Sequence, residues 1–457
     1  MNAYLLNRSL GLNSPRVIER ALNVHLLHAL QPTGTQFHGE DSRDVSPETG
    51  VERRSLAHAS GVNAITIDKF EGRYLLSGGA DSSIAIWDLE SGLRMADSYT
   101  PLSSVHRTAK EHKFGITQLC FYPFDSLAFL SSSYDHTIKI YSSETLSTSA
   151  SFDLGSVVYT LALSSIASHL LVACATQHPA VRLVDLRSGA STHSLAGHGG
   201  AVLSVSWSPV HEHILASGSI DGTVRFWDIR RSVGEIGVLD MEDSVGILGR
   251  GGFDAETRHR ERGRAHAGAV NGIAWSDNGH HLISVGHDER IRVWDTSSGA
   301  NTLANFGPMV RNSHLSALIP LLAPSGLVPS EKDVLLYPNE NEILMYELFE
   351  GNLLKRLKRH NHAATVSNTS FIAGKRNTNR ITALAWRPHN IEVYSAHSDG
   401  SIGAWMPRTS EDALLDEEEN DLNGNRDQEE NKKRKRETLE DIYRDLTKQR
   451  ITFGSEA

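Results

Sequence analysis

The chain has 457 residues, a formal net charge of −10, 39% hydrophobic residues and 22% charged ones. That composition can fill a large core, and the acidic balance argues against generic electrostatic wrapping of nucleic acid. Only two cysteines occur, Cys120 and Cys174, both inside apolar strand-like runs, so they read as core thiols and not as a disulfide framework. No apolar run reaches the length of a membrane span and the start lacks a secretory pattern, so no membrane partner is expected.

In chain order, residues 1–30 come first as a helix-loop-helix. Tyr4, Leu5, Leu6 and Leu10 make a short apolar helix broken at Gly11. Ser14-Pro15 marks a second start, with proline at the first helical position. Val17, Ile18, Ala21 and Leu22, then Leu26, Leu27 and Leu30, form a broad apolar side on that second helix. Such a pair either caps its own parent or sits in a partner's groove, and the amount of apolar surface favours the partner. Residues 31–50 read as a linker.

From residue 51 to 407 one pattern recurs: a serine, an aspartate four residues on, and an aromatic residue six after that. It reads SGGADSSIAIWD at 77–88, SGSIDGTVRFWD at 217–228 and SVGHDERIRVWD at 284–295, with weaker copies SSSYDHTIKIYS at 131–142 and SAHSDGSIGAWM at 395–406. His58, His112, His198 and His266 stand upstream of four of them. This is the signature of WD repeats, each supplying one propeller blade. VRLVDLRSG at 181–189 puts Val184 where the third blade wants tryptophan, and DVLLYPNENEILMYEL at 333–348 puts Tyr346 there in the sixth. The expected fold is an all-β, seven-bladed WD-repeat β-propeller, with residues 51–57 as the strand that closes the last blade.

A blade buries polar groups near its turns, and these must find partners. The sets His58, Ser77, Asp81, Trp87, then His198, Ser217, Asp221, Trp227, then His266, Ser284, Asp288, Trp294 are expected to form side-chain networks. In each, aspartate accepts from histidine, serine bridges and the indole N–H donates. A Ser-His-Asp nucleophile is the wrong reading, because a nucleophile is not repeated once per blade. No phosphate loop, metal-ligand cluster or isolated nucleophile-base pair appears, so no enzyme, cofactor or metal is expected.

Two excursions interrupt the blades. One, at 233–265, carries Arg258, Arg260, Arg262 and Arg264; the other is a polar stretch at 361–380. Both read as loops on a rigid scaffold. The tail, 408–457, is charged and reads as mostly disordered. Lys432, Lys433, Arg434, Lys435 and Arg436 form a basic cluster suited to nuclear import. Leu439, Ile442, Tyr443 and Leu446 align on one side of a possible helix over 438–451.

Beyond the repeats, EGRYLLSGGAD (71–81), FLSSSYDHTIKIY (129–141), ILASGSIDGTVRFWDIRR (214–231), SSGANTLANFG (297–307) and IGAWMP (402–407) carry a narrower likeness. With the LLNRSLGLNSP start, the chain resembles the Cockayne syndrome group A family, substrate receptors of a cullin-RING ubiquitin ligase in transcription-coupled excision repair. The resemblance implies a nuclear, non-catalytic receptor. Its implied partners are the large damaged-DNA-binding adaptor subunit, a cullin-4-type scaffold and a RING protein. Its implied targets are the Cockayne syndrome group B translocase and stalled RNA polymerase II. It also implies that Leu5, Leu6, Leu10, Val17, Ile18 and Leu22 insert into the adaptor. Two Asp-x-Arg elements, Asp228-Ile229-Arg230 and Asp185-Leu186-Arg187, place Arg187, Asp228 and Arg230 beside it. The tail after 411 and the Arg-rich loop depart from the family pattern. A ligase-independent WD-repeat scaffold and a direct reader of damaged DNA remain as alternatives, the second poorly served by the charge.

Overall fold

The structure is a computed structural model that describes residues 7–39, 56–91, 98–108, 110–189, 191–231, 234–242, 263–329, 332–359 and 379–408. The Arg-rich stretch, all but Arg264, falls outside these residues. So do Leu5, Leu6, the basic cluster at 432–436 and the helix candidate at 438–451.

Among the described residues, seven antiparallel sheets follow one another along the chain, and the fold is the expected seven-bladed β-propeller. The second and third strands of a blade are buried along most of their length, whereas an outer strand such as Thr148–Asp153 alternates. Val202–Trp207 opens the fourth blade and packs between the opening strands of the third and fifth, so first strands form the inner ring. Turns between the second and third strands lie on one face of the ring. Those between the first and second, and between the third and fourth, lie on the other.

The degenerate blades are where the sequence places them. In the third blade Val184 pairs with Val172 as Trp227 pairs with Leu215 in the fourth, and Cys174 falls at the serine position. In the sixth, Val334–Pro338 and Glu342–Glu347 flank the expected turn and Tyr346 pairs with Leu335. Both thiols are free, and burial pushes them up. The fifth blade has three regular strands, and the segment after Asp295 takes the outer position with an isolated bridge from Trp294 to Asn301. Thr302 donates its N–H to Val293 O, and Phe306 packs edge-on against Tyr346 of the sixth blade. This explains SSGANTLANFG in part: it serves as an irregular outer strand and an inter-blade plug.

The closing strand corrects the sequence reading. Leu30–Pro32, not residues 51–57, pairs antiparallel with Ile402–Pro407, Leu30 opposite Pro407 and Pro32 opposite Trp405. The supposed linker therefore begins inside a sheet, and Gln36–Phe37 pairs in parallel with Ser98–Tyr99. The reason lies in the next residues: the Ala57 and His58 N–H groups donate to Gly400 O at the turn of the seventh blade. Ala57 and His58 are thus tied at that turn, with the His58 ring committed to the first blade, and the seventh blade's outer edge is taken by Leu30–Pro32. Pro32, which lacks an N–H, suits an edge strand.

One helix, α1, spans Pro15–His28 with Ser14 as its N-cap and proline in its first turn, as the sequence predicts. Before it, residues 7–9 are helical and Gly11 breaks the turn at φ +70°. Leu27 and Leu30 are buried in a core shared by the sixth and seventh blades, with Val24 and Leu26 packed beside them. Lys355 Nζ donates to His28 O and Leu30 O at 2.7 and 2.8 Å, fixing the helix exit.

Closing the ring from the N-terminus makes Leu30 a stability determinant. Leu30→Ala should cost about 2–4 kcal/mol, the usual range for a fully buried leucine. Thermal unfolding checks this; no change in melting temperature would mean that the strand is not a closure.

Candidate functional site

Five blades carry a hydrogen-bonded cluster built around a buried serine. In the fourth, Trp227 Nε1 donates to Ser217 Oγ at 2.7 Å, and Ser217 Oγ lies 2.6 Å from His198 Nε2. The first and fifth blades repeat this through Ser77 and Ser284. All three serines are fully buried.

The far side of the ring departs from expectation in two blades. His112 Nδ1 and His266 Nδ1 reach Asp135 and Asp288 directly, at 2.9 Å each. His58 and His198 instead meet hydroxyls, Ser83 at 2.6 Å and Thr223 at 2.8 Å, which donate onward to Asp81 and Asp221. Sequence reasoning missed these hydroxyls, although Ser83, Thr137, Thr223 and Ser401 all stand two residues after the turn aspartate. With Nδ1–H committed to the aspartate side, Nε2 must accept from the serine, whose oxygen takes the indole proton.

The aspartates are held anionic. At Asp81, burial works to raise the pKa, but the Ser83 hydroxyl and N–H and the His58 ring together lower it. Asp135, Asp221 and Asp288 lie below the usual carboxylate range for the same balance of reasons. His58 is depressed to about 4 by burial, against the pull of Asp81.

Two blades depart further. Tyr141 has no indole, and its hydroxyl donates to Glu111 at 2.5 Å. In the seventh, no loop histidine was found by sequence. His397, inside the motif, pairs with Ser395 at 3.0 Å and is depressed to about 4 by burial and Arg359. The residue after each turn aspartate has positive φ: Ser82, His136, Gly222, Glu289 and Gly400. At Gly222 and Gly400 a Cβ would also strike His266 O and His58 O of the following blade.

These clusters do not present a nucleophile, since in four blades the serine is sealed between an indole and an imidazole and in the second Ser131 is fully buried against His112. On the face where α1 enters, Leu10 and Leu12 are 62% and 70% exposed and Val17 and Leu22 are 45% and 50% exposed; Ile18 is half-buried. The helix is thus split: its last turn is docked through Leu26 and Leu27, while Val17 and Leu22, with Leu10 and Leu12 before the helix, are bare. Asp228 is buried and grips Arg230 through both oxygens, at 3.0 and 2.9 Å, which with Arg231 holds its pKa near 2. Arg230 and Arg187 are exposed on that same face. The Arg230 link stays inside its own blade. Exposed Phe70, Phe124, Leu127, Ile166 and Val210, all in turns between first and second strands, share this face and were not singled out from sequence.

Comparison with known proteins fits this geometry. The model of the WD domain, G-beta repeat, matches residues 50–88, 103–142, 189–228 and 260–295. WD repeat-containing protein ATCSA-1 of Arabidopsis thaliana is 30% identical over 434 residues, 79% of this chain and 89% of that protein. The chain belongs to the WD-repeat family. Ribosome biogenesis protein ytm1 of Pyrenophora tritici-repentis is 32% identical, over 46% of this chain and 45% of that protein. Its counterpart from Aspergillus niger is 29% identical over 52% of each. The chain thus matches about half the length of the ytm1 proteins. None of these names is that of an enzyme, and among the described residues no helix is long and apolar enough to cross a membrane.

The depressed histidines set a pH dependence. The unfolded chain binds a proton near pH 6.5 that folded His58 and His397 refuse until about 4. Their contribution is present above 6.5 and is lost as pH falls towards 4, about 2 kcal/mol each by pH 5. Urea midpoints at pH 7 and pH 5 should fall accordingly, and His397→Gln should reduce the difference; equal slopes in both proteins would refute the assignment. Ser217→Ala, which orphans two buried groups, should cost about 2–4 kcal/mol at neutral pH by the same assay.

Proposed function

We propose that this chain is the non-catalytic substrate receptor of a cullin-4-type RING ubiquitin ligase acting in transcription-coupled nucleotide excision repair in the nucleus. The observation that carries the reading is the split helix. Leu27 and Leu30 root it in the ring while Leu10, Leu12, Val17 and Leu22 stand bare. A bare apolar half-helix held rigidly away from the core is costly in water and suited to a partner's groove. The likeness to the Cockayne syndrome group A family and to ATCSA-1 supplies the partner, the large damaged-DNA-binding adaptor subunit. Leu5, Leu6 and Ile18 would add to that contact, and Arg187 and Arg230, positioned by Asp185 and Asp228, would flank it.

The mechanism is positional. The adaptor, with its cullin and RING partners, grips the α1 face, while the opposite face holds a target such as the Cockayne syndrome group B translocase or stalled RNA polymerase II. Confinement near a ubiquitin-loaded enzyme raises the effective concentration of target lysines, and the chain itself does no covalent chemistry. The ytm1 likeness supports a second reading, a WD-repeat scaffold in ribosome assembly. It rests on about half of each protein, whereas the ATCSA-1 match spans most of both.

Purified adaptor separates the two. Val17→Asp with Leu22→Asp should weaken adaptor binding about tenfold or more without moving the melting temperature, because neither side chain is in the core. Arg230→Ala should weaken it less. Binding that is absent in the wild type, or unchanged in the double variant, would overturn the receptor reading.

A further inference from the structure

On the face opposite α1, the segment 309–318 between the fifth and sixth blades is fastened with unusual thoroughness. Buried Asn271 and Asn312 exchange amide hydrogen bonds at 3.1 and 2.7 Å. Asn271 Nδ2 also donates to His314 O and Ser316 O, and Asn312 Nδ2 to Gly286 O. Asn339 receives the Arg311 N–H and donates to Met309 O, while the Tyr337 hydroxyl donates to Arg311 O. None of these bonds is needed to continue a strand. Their effect is to fix a loop whose Leu315 is 49% exposed and whose Arg311 and His314 face solvent.

Beside that loop, at the start of the innermost strand of the seventh blade, stands Arg380. Its backbone N–H donates to Ser398 Oγ, and its guanidinium donates to Ser316 Oγ at 3.2 Å. It is half-buried, and burial pulls its pKa down against the opposing pull of the Tyr134 phenol of the second blade. No carboxylate pairs with it among the described residues. Glu289 is taken by Arg311 at 3.6 Å, Asp399 by Asn379 and Ser401, and Glu340 by the Ser313 hydroxyl. The preceding stretch, 361–378, holds Lys375 and Arg376 and no acid. A half-buried guanidinium without a counter-ion is an expensive feature unless something outside the chain completes it.

We propose that the recess at Arg380 is a peptide site. It takes one carboxylate of an acidic partner segment on the guanidinium, with a neighbouring apolar side chain against Leu315 and Tyr134. Among the described residues Arg380 is a cation of this recess without a carboxylate partner, and with Glu289, Glu340 and Asp399 on the same face of a chain of charge −10 it suits one carboxylate and disfavours a polyanionic backbone. The fixed loop lowers the ordering cost of capture. This inference rests on the platform reading above and names where on that platform a target is held.

The test uses the full chain and fluorescence anisotropy with three labelled probes: a Glu/Leu peptide carrying a single glutamate beside leucine in a neutral polar sequence, its Gln/Leu counterpart and a single-stranded DNA. The Glu/Leu peptide should bind best. Arg380→Gln should weaken it about tenfold or more, Arg380→Lys should recover part of the loss, and Leu315→Ser should weaken it severalfold, all with unchanged melting temperature. Binding that Arg380→Gln does not alter, equal binding of the Gln/Leu probe, no peptide binding, or a response confined to DNA would each overturn the site. The paired variant Val17→Asp, Leu22→Asp should keep peptide binding. Its loss of adaptor, or the wild type's failure to bind adaptor, bears on the receptor reading alone.

Discussion

A buried serine hydroxyl shared between an indole and an imidazole is the constraint on which this ring depends. Where it is present, the hydroxyl has no freedom left: it accepts from tryptophan, donates to histidine Nε2, and so fixes which histidine nitrogen faces the turn aspartate. That fixes the turn, whose next residue is left-handed. In the fourth and seventh blades the carbonyl of that residue receives N–H groups from the lead-in to the following blade, at Ala265 and His266 and at Ala57 and His58. One side-chain cluster therefore orders a blade and, twice, hands its geometry to the next. Blades without the cluster rely on apolar filling, with Cys174 and Val184 in the third and Tyr337 and Tyr346 in the sixth.

This division explains what could be read from the residues. The serine-aspartate-tryptophan spacing is set by hydrogen-bond geometry, so blades that keep it announce themselves, and the degenerate ones follow by register. The intervening hydroxyls at Ser83 and Thr223 were visible in the pattern two residues after aspartate but look like ordinary turn residues. The histidine of the seventh blade was missed because His397 sits inside the motif and not before it.

The closure was misplaced for a different reason. An edge strand of three residues, Leu30–Pro32, has too little period to signal itself, and it follows directly on a helix whose apolar side extends to the same leucine. A single stripe on α1 thus does two tasks that sequence periodicity cannot separate. Only packing shows that Leu26 and Leu27 face the sixth and seventh blades while Val17 and Leu22 do not. Likewise the family resemblance implies an adaptor element at Asp228 and Arg230, and the structure shows the carboxylate spent on holding the guanidinium. That leaves the arginine as the exposed group and the aspartate as its support.

The two faces then impose opposite chemistries. The α1 face offers apolar side chains in bulk, from the half-helix and from Phe70, Phe124, Leu127, Ile166 and Val210. Such a surface favours a broad, long-lived contact dominated by burial. The opposite face offers a pinned loop and, at Arg380, a cation without a carboxylate partner among the described residues, features that select by charge and position and bury little. On the receptor reading proposed above, this asymmetry would give a lasting grip on the adaptor and a changeable hold on a target. Because five of the seven blades between them are pinned through a buried serine, a partner proposed to sit at Arg380 would stay at a fixed distance from whatever covers α1. Softening a serine cluster should therefore degrade the positioning of cargo before it abolishes either contact.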